Sequence, residues 1–110
     1  MNIQIFGKKK CFDTKKAQRY FKERGIKFQF IDILDKGLSK GELRSIISAV
    51  GGLDKLLNEK DEKFHLISYL IDDQKEEKIL ESPSVYKTPI VRNGKKATVG
   101  YQPDVWKQWN

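Results

Sequence analysis

Apolar residues at alternating and helical spacings divide the first third of the chain into a strand, a helix and a second strand. Residues 2–6 alternate apolar and polar side chains, which is typical of a short β-strand. Between residues 13 and about 24, apolar side chains recur at helical intervals, and Gly25 follows as a C-cap. Residues 27–33 are rich in aromatic and β-branched types, so they predict a second strand.

The middle of the chain is predicted to be a helical insert over about residues 39–82. Ser39 and Glu42 have the Ser-x-x-Glu spacing of a capping box, and apolar residues at helical intervals follow for about two turns. Two more helices are expected, one near 62–71 and one over about 72–80. The first of these is predicted to turn four side chains inward: Phe64, Ile67, Leu70 and Ile71.

The last third of the chain returns to strands. Pro89 precedes a short apolar strand, Asn93-Gly94 is a strong hairpin pattern, and residues 96–99 form the return strand. Residues 103–109 predict a final helix whose two tryptophans anchor it in the core. This order predicts an α/β fold in which a small mixed sheet is flanked by helices. Its first two strands are expected to be parallel, joined by a right-handed crossover.

Composition places the chain among ordinary globular proteins. Its 110 residues suit one modest core, so we expect a single domain over residues 1–110. No window approaches the roughly 20 apolar residues of a membrane helix, and the N-terminus lacks the basic-then-apolar order of a signal peptide. One cysteine and one histidine exclude an internal disulfide framework and a structural zinc site. We therefore expect a cytoplasmic protein with no membrane partner and no bound metal.

The positive charge is concentrated near the N-terminus. The chain has 22 basic and 15 acidic residues, and the whole net charge of +7 lies in residues 1–30. Cys11 stands inside this segment, directly after Lys8, Lys9 and Lys10. Two interpretations remain open: a solvated basic face, or a positive field that attracts anions and lowers the pKa of the thiol. Nucleic-acid binding is not expected, because no aromatic-bearing sheet motif or helix-turn-helix accompanies the lysines.

Cys11 stands where the first predicted strand passes into the first predicted helix. A thiol there faces the free N–H groups of the helix's first turn and the positive end of its dipole, and both favour the thiolate. Thr14 can hydrogen-bond the sulfur, and Lys15 is near enough to meet a bound anion. Because Thr14 occupies the place of the second cysteine of a Cys-x-x-Cys motif, any redox cycle needs an external thiol. The alternative is that Cys11 is a small buried apolar residue.

Four segments spread over nearly the whole chain carry recognisable motifs. They are Cys11-Phe12-Asp13-Thr14-Lys15-Lys16-Ala17, Leu38-Ser39-Lys40-Gly41-Glu42-Leu43, Thr88-Pro89-Ile90-Val91 and Val99-Gly100-Tyr101. Together they resemble the arsenate-reductase-related family, which includes glutaredoxin-coupled arsenate reductases, Spx regulators and YffB-type proteins. The resemblance implies a thioredoxin-like, more narrowly glutaredoxin-like, mixed sheet flanked by helices.

The resemblance also implies a function. Cys11 would be the nucleophile of a monothiol thiol-disulfide reductase, with glutathione as co-substrate or glutaredoxin as reductant and no bound cofactor. Pro89 would be a cis-proline facing Cys11, and Thr88-Pro89 would hold the glutathione-like backbone. The other residues expected to bind the substrate or its negative charge are Lys8, Lys10, Phe12, Asp13, Thr14 and Lys15. The alternatives are a Spx-like regulator that binds the C-terminal domain of the RNA polymerase α-subunit, and a protein that keeps the fold without thiol chemistry.

Three arginines that surround the cysteine in arsenate reductases of this family are replaced in this chain. Thr88 stands before the proline, and the other two positions fall near Asn58 and near Val99 or Gly100. Positive charge could come instead from Lys8, Lys10, Lys15, Lys87 or Arg92. A lysine, however, lacks the planar fork that grips an oxyanion with two hydrogen bonds. Arsenate is therefore not the expected substrate.

Overall fold

A four-stranded mixed sheet forms the centre of the protein. A computed structural model describes residues 1–109 of the chain. The strands are β1 (Ile3–Gly7), β2 (Phe28–Asp32), β3 (Ile90–Asn93) and β4 (Lys96–Val99). They lie in the order β2-β1-β3-β4, with β1 parallel to β2 and the other pairs antiparallel. The predicted α/β fold with a parallel first pair is confirmed.

Helices cover both faces of the sheet. They are α1 (Phe12–Glu23), α2 (Ile33–Lys36), α3 (Lys40–Val50), α4 (Phe64–Ser68), α5 (Asp72–Glu81) and α6 (Pro103–Trp106), with 3₁₀ turns at Leu53–Leu56, Pro83–Val85 and Lys107–Trp109. The predicted capping box is present at the start of α3. The Glu42 N–H donates to Ser39 Oγ at 3.1 Å, and the Ser39 N–H donates to Glu42 Oε1 at 2.9 Å.

Two apolar clusters hold these layers together. On one face, α1 and α6 pack on alternate residues of the sheet, including Ile3 and Ile5. Trp106 is 2% exposed there, and its indole N–H donates to Thr98 Oγ1 at 2.8 Å, so this tryptophan anchors the last helix as predicted. On the other face, the helical insert packs on Phe6 and on β3. The buried apolar side chains of β1 and β3 therefore divide between the two clusters as alternation along a strand requires.

The helical insert differs from the prediction around α4. The helix expected near 62–71 covers only Phe64–Ser68, and Ile71 is 67% exposed instead of facing inward. Ile71 has an extended backbone, with φ −74° and ψ 162°, because it is the N-cap residue directly before α5. Before α4, the Lys63 N–H donates to Asp61 Oδ1 at 2.9 Å, which holds a turn instead of a helical start.

Two further local differences lie at chain turns. The short helix α2, which ends at Gly37, was not predicted. It begins at the end of the strand that the sequence predicts over residues 27–33. Asp32 begins it, since its Oδ1 accepts the Leu34 N–H at 3.0 Å. The final helix is α-helical only through Trp106 and continues as a 3₁₀ turn. Within residues 1–109, no helix is long and apolar enough to cross a membrane.

Candidate functional site

Cys11 lies at the edge of the sheet where β1 and β2 both end. These strands are parallel, so the residues that follow Gly7 and Asp32, which pair in register, emerge side by side. A turn then leads into α1: the Cys11 N–H donates to Lys8 O at 2.9 Å, and Cys11 O accepts the Lys15 N–H at 3.2 Å. Cys11 is thus the N-cap of a twelve-residue helix, and its half-buried sulfur lies at the positive end of the helix dipole.

The environment of the sulfur favours the thiolate. Burial by itself raises the pKa of the Cys11 thiol, but hydrogen bonds from the side chains of Thr14 and Thr88 and from the backbone at Thr14 and Asp13 outweigh it. The net effect is that the pKa of Cys11 lies below its ordinary value. When the sulfur is protonated, it donates to Thr88 O at 3.6 Å. Both protonation states therefore have partners, and the thiolate has more of them.

Thr14 is the buried member of this set. It is 1% exposed, and its Oγ1 has no hydrogen-bond partner within residues 1–109 other than the sulfur of Cys11. A buried hydroxyl without a partner is unfavourable, and a thiolate beside it supplies the missing acceptor. Since the thiolate is the state that satisfies this hydroxyl, Thr14 helps to bias Cys11 toward it.

The segment that faces Cys11 is fixed from two sides. The Thr88–Pro89 peptide bond is cis, Pro89 is buried, and Pro89 O accepts the Gly100 N–H at 2.8 Å. From the other side, Lys8 Nζ donates to Ser84 O at 2.7 Å and to Tyr86 O at 3.3 Å. The Lys8 ammonium thus ties the cysteine turn to the chain before Pro89. The sequence predicts that Lys8 contacts the anionic substrate, whereas in the structure its ammonium group donates hydrogen bonds to backbone carbonyls.

A cavity of about 470 Å³ opens beside the sulfur. It is lined by Lys8, Lys9, Lys10, Cys11, Asp32 and Leu34. Asp32 and Leu34 are not among the residues that the sequence predicts for the site. The predicted parallel pairing of β1 with β2 accounts for their position, because it brings the end of β2 to this edge of the sheet. Lys9 Nζ lies 3.9 Å from Asp32 Oδ2, so the one acidic group of the cavity is partly balanced. Leu34, 57% exposed, adds an apolar rim.

The other predicted site residues lie on the first turn of α1. Phe12 is 76% exposed, and the side chains of Asp13 and Lys15 are also exposed. Asp13 contributes to the sulfur through its backbone, and its carboxylate stabilises the helix N-terminus. Lys10 and Lys15 are exposed on either side of Cys11 in the chain, and neither makes an ion pair within residues 1–109. The structure therefore places Thr14 and Thr88 at the sulfur, and Lys10, Phe12 and Lys15 at the surface next to it.

No arginine lines this cavity among the residues that the structure describes. Arg92 is on β3 but pairs in register with Gln4, whereas Ile90 is the residue at the Cys11 end. Its Nη1 donates to Gln4 Oε1 and its Nη2 to Ser45 Oγ, each at 3.3 Å. Within residues 1–109, no group of three or more His, Cys, Asp or Glu side chains is placed to hold a metal ion.

The strand order, the mixed pairing and the position of Cys11 between β1 and α1 place the protein in the thioredoxin-like class. A model of the ArsC family matches residues 6–109, which is nearly the whole chain. The chain belongs to the ArsC family.

Comparison with individual proteins agrees with this assignment. The global transcriptional regulator Spx 2 of Oceanobacillus iheyensis is 31% identical over an alignment of 114 positions, which covers 99% of this chain and 84% of that protein. A solved arsenate reductase from Vibrio cholerae superposes with a TM-score of 0.86 at 24% identity, covering 98% of this chain and 97% of the other. The glutaredoxin-like NrdH-redoxin of Escherichia coli superposes with a TM-score of 0.54 at 14% identity, covering 100% and 96%. The two structural matches establish the fold alone.

Proposed function

We propose that the protein is a monothiol thiol-disulfide reductase in which Cys11 is the nucleophile and glutathione or a glutaredoxin is the external reductant. The observation that carries the proposal is the lowered pKa of Cys11, which arises from hydrogen bonds made by Thr14, Thr88 and the first turn of α1. A nucleophilic thiol must be ionised near neutral pH, and these groups increase its ionised fraction.

The reaction consists of two thiol-disulfide exchanges. In the first, the Cys11 thiolate attacks one sulfur of a disulfide substrate, and a new S–S bond forms as the substrate bond breaks. The other substrate sulfur leaves as a thiolate and takes a proton from water. In the second, a thiolate of glutathione or glutaredoxin attacks the substrate sulfur of the mixed disulfide, forms a disulfide with it and releases the Cys11 thiolate. A further external thiol then reduces that disulfide, so the second half of the substrate leaves as a thiol and the two external thiols become a disulfide. The substrate disulfide gains two electrons and the external thiols lose them. Cys11 is the only cysteine in the chain, so the second thiol must come from outside.

The surroundings of the sulfur fit a small anionic thiol compound. Glutathione carries two carboxylates and one ammonium group, and the exposed Lys10 and Lys15 stand on either side of Cys11 in the chain. The cavity beside the sulfur is about 470 Å³, which is within the usual size range for small-molecule sites. Thr88 O lies 3.6 Å from the sulfur, and the Thr88-Pro89 segment, which does not line this cavity, offers backbone along which an extended peptide-like compound can lie.

Arsenate does not fit this site as well as a disulfide does. The cavity has three lysines and no arginine among the described residues. A tetrahedral oxyanion held close to the sulfur is best bound by planar, two-pronged donors, which lysine does not offer. We therefore assign the chemistry to sulfur substrates.

The direct test is reduction of a glutathione mixed disulfide of a small thiol, coupled to NADPH oxidation through glutathione reductase. We expect turnover with the unaltered protein and none with Cys11→Ser, which removes the only thiol at almost constant volume. Thr14→Ser is the matched variant, because it keeps the hydroxyl next to the sulfur and should retain most of the activity. Turnover by Cys11→Ser, or none by the unaltered protein with either glutathione or glutaredoxin, would contradict the proposal.

A second candidate is a transcription regulator, favoured by the relative at 31% identity that is named a global transcriptional regulator. In this alternative the fold is a docking surface for the C-terminal domain of the RNA polymerase α-subunit. Titration calorimetry with that isolated domain tests it. Saturable 1:1 binding that Cys11→Ser leaves unchanged would favour the regulator, and no heat of binding would favour the reductase.

A further inference from the structure

A second concave surface, the α1–α6 pocket, lies away from Cys11, beside the later turns of α1. Its volume is about 460 Å³. The lining residues are Lys16, Arg19, Tyr20, Glu23, Arg24, Tyr101, Pro103 and Lys107. None of them lines the cavity beside Cys11, so the two concavities are separate.

The α1–α6 pocket is strongly cationic. It contains four basic side chains and one carboxylate, that of Glu23. Lys107 Nζ has an acidic neighbour, Asp104 Oδ1, at 3.8 Å. Within residues 1–109, Lys16, Arg19 and Arg24 make no ion pair. Positive side chains that line one pocket repel one another. An anion bound between them is attracted by all of them, so its binding offsets this repulsion.

Two of the cations are held in place by aromatic rings. The Arg24 guanidinium stacks 3.7 Å from the centre of the Tyr20 ring, and its Nη1 donates to Tyr20 O at 3.2 Å. Lys16 Nζ lies 5.5 Å from the centre of the Tyr101 ring. Such contacts restrict long side chains that otherwise lose rotamer freedom when a ligand binds. The cationic wall is therefore partly ordered before any ligand arrives.

The residue types indicate which anion fits. Arginine offers a planar fork that matches the oxygens of phosphate, and two arginines line this pocket beside two lysines. Several positive charges in a volume of this size suit a small compound with several negative charges. Tyr101, 40% exposed, adds an aromatic ring to the lining. We propose that the α1–α6 pocket binds a small compound that carries a diphosphate or triphosphate group.

The test is titration with inorganic pyrophosphate and, separately, with ADP, followed by the amide chemical shifts of the protein. We expect saturable shifts at residues 16–24 and 101–107. The double substitution Lys16→Gln with Arg19→Gln should weaken binding by roughly tenfold or more, because it removes two of the four positive charges that line the pocket. The control is Lys60→Gln with Lys95→Gln, which removes the same net charge from exposed positions outside the pocket. This control should bind as the unaltered protein does.

Three results would overturn the proposal: no saturable shifts with either compound, equal weakening in both double variants, or loss of binding in Cys11→Ser. The second would mean that net charge alone attracts the anion, and the third that the anion occupies the cavity beside Cys11. Equal affinity for pyrophosphate and ADP would assign recognition to the phosphates. Tighter binding of ADP than of pyrophosphate would mean that the adenine ring also contacts the protein. Both of these outcomes agree with the proposal. The outcome is independent of the reductase assay.

Discussion

Gly7 and Thr14 pack so closely that a β-carbon on Gly7 would lie 2.6 Å from Thr14 Oγ1. Gly7 ends β1 and Thr14 is in the first turn of α1, so this contact sets how closely the helix approaches the strand. Thr14 is also the first of the groups that lower the pKa of Cys11. The absence of a side chain at Gly7 therefore supports the thiolate at Cys11.

Gly7→Ala should raise the pKa of Cys11 and destabilise the fold. The added methyl must displace the Thr14 side chain, and overpacking of this kind costs about 1–3 kcal/mol. Urea unfolding and the pH dependence of alkylation measure the two effects. Gly41→Ala is the matched control, because a β-carbon there meets nothing within 4 Å and lies in α3. It should leave the pKa unchanged and add roughly 0.5–1 kcal/mol of stability.

Thr14→Val should separate thiol activation from stability. It removes a buried hydroxyl that has no partner beside the protonated thiol, so below the folded pKa of Cys11 the stability should stay equal or rise by about 1 kcal/mol. The pKa of Cys11 should rise, because the sulfur loses its first hydrogen-bond donor. Alkylation rates at pH 6 should fall accordingly. A loss of stability together with an unchanged pKa would contradict this assignment of the hydroxyl.

Lys8→Met should destabilise the protein by about 1.5–3 kcal/mol, the usual contribution of hydrogen bonds to charged groups. Its ammonium bonds the carbonyls of Ser84 and Tyr86, and methionine keeps the apolar stem without the donor. Lys9→Met is the control: that side chain is 78% exposed and its ion pair is long, so the change in free energy of unfolding should stay below about 0.5 kcal/mol. Equal effects of the two substitutions in urea unfolding would contradict the role given to Lys8.

Tyr86→Phe should stabilise the fold or leave it unchanged. The Tyr86 ring is completely buried, and its hydroxyl has no hydrogen-bond partner in the described part of the chain. Burial also raises the pKa of this phenol, so the hydroxyl stays protonated in ordinary buffers. A buried polar group without a hydrogen bond destabilises the folded state by about 1–3 kcal/mol, so removing the hydroxyl should raise the free energy of unfolding by up to that amount. Tyr69→Phe, at an 86% exposed ring, should change nothing measurable by thermal unfolding. A marked loss of stability in Tyr86→Phe would show that the hydroxyl has a partner.

Sequence patterns predicted the sheet and the place of Cys11 because both rest on local rules. Alternation defines β1, Ser39 and Glu42 define the start of α3, and Gly25 ends α1. The position of Cys11 at a helix N-terminus follows directly from the strand-to-helix change. These features need only neighbours in the chain.

The parts that were missed depend on contacts between distant segments. Ile71 has the right spacing for a buried position, but the chain bends there and the side chain faces solvent. The sequence predicts that Lys8 is a surface cation, whereas in the structure it hydrogen-bonds to the carbonyl of Ser84, 76 positions away. The contact of Gly7 with Thr14 likewise requires the packed helix. Charge and spacing alone could not reveal any of the three.

The pKa of the Cys11 thiol tests the central claim most directly. Folding lowers the pKa of Cys11, so ionisation of the thiol stabilises the folded state. The free energy of unfolding of the unaltered protein, relative to that of Cys11→Ser, should therefore gain little from the thiol below the folded pKa. This difference should grow as the pH rises from the folded pKa, and it should level off above the unfolded pKa of about 8.5. Iodoacetamide alkylation as a function of pH, with the urea-unfolded chain as reference, gives the value itself. We predict an apparent pKa clearly below that of the unfolded chain. An equal or higher value, or no alkylation until the protein unfolds, would contradict the account of Cys11 as an activated nucleophile.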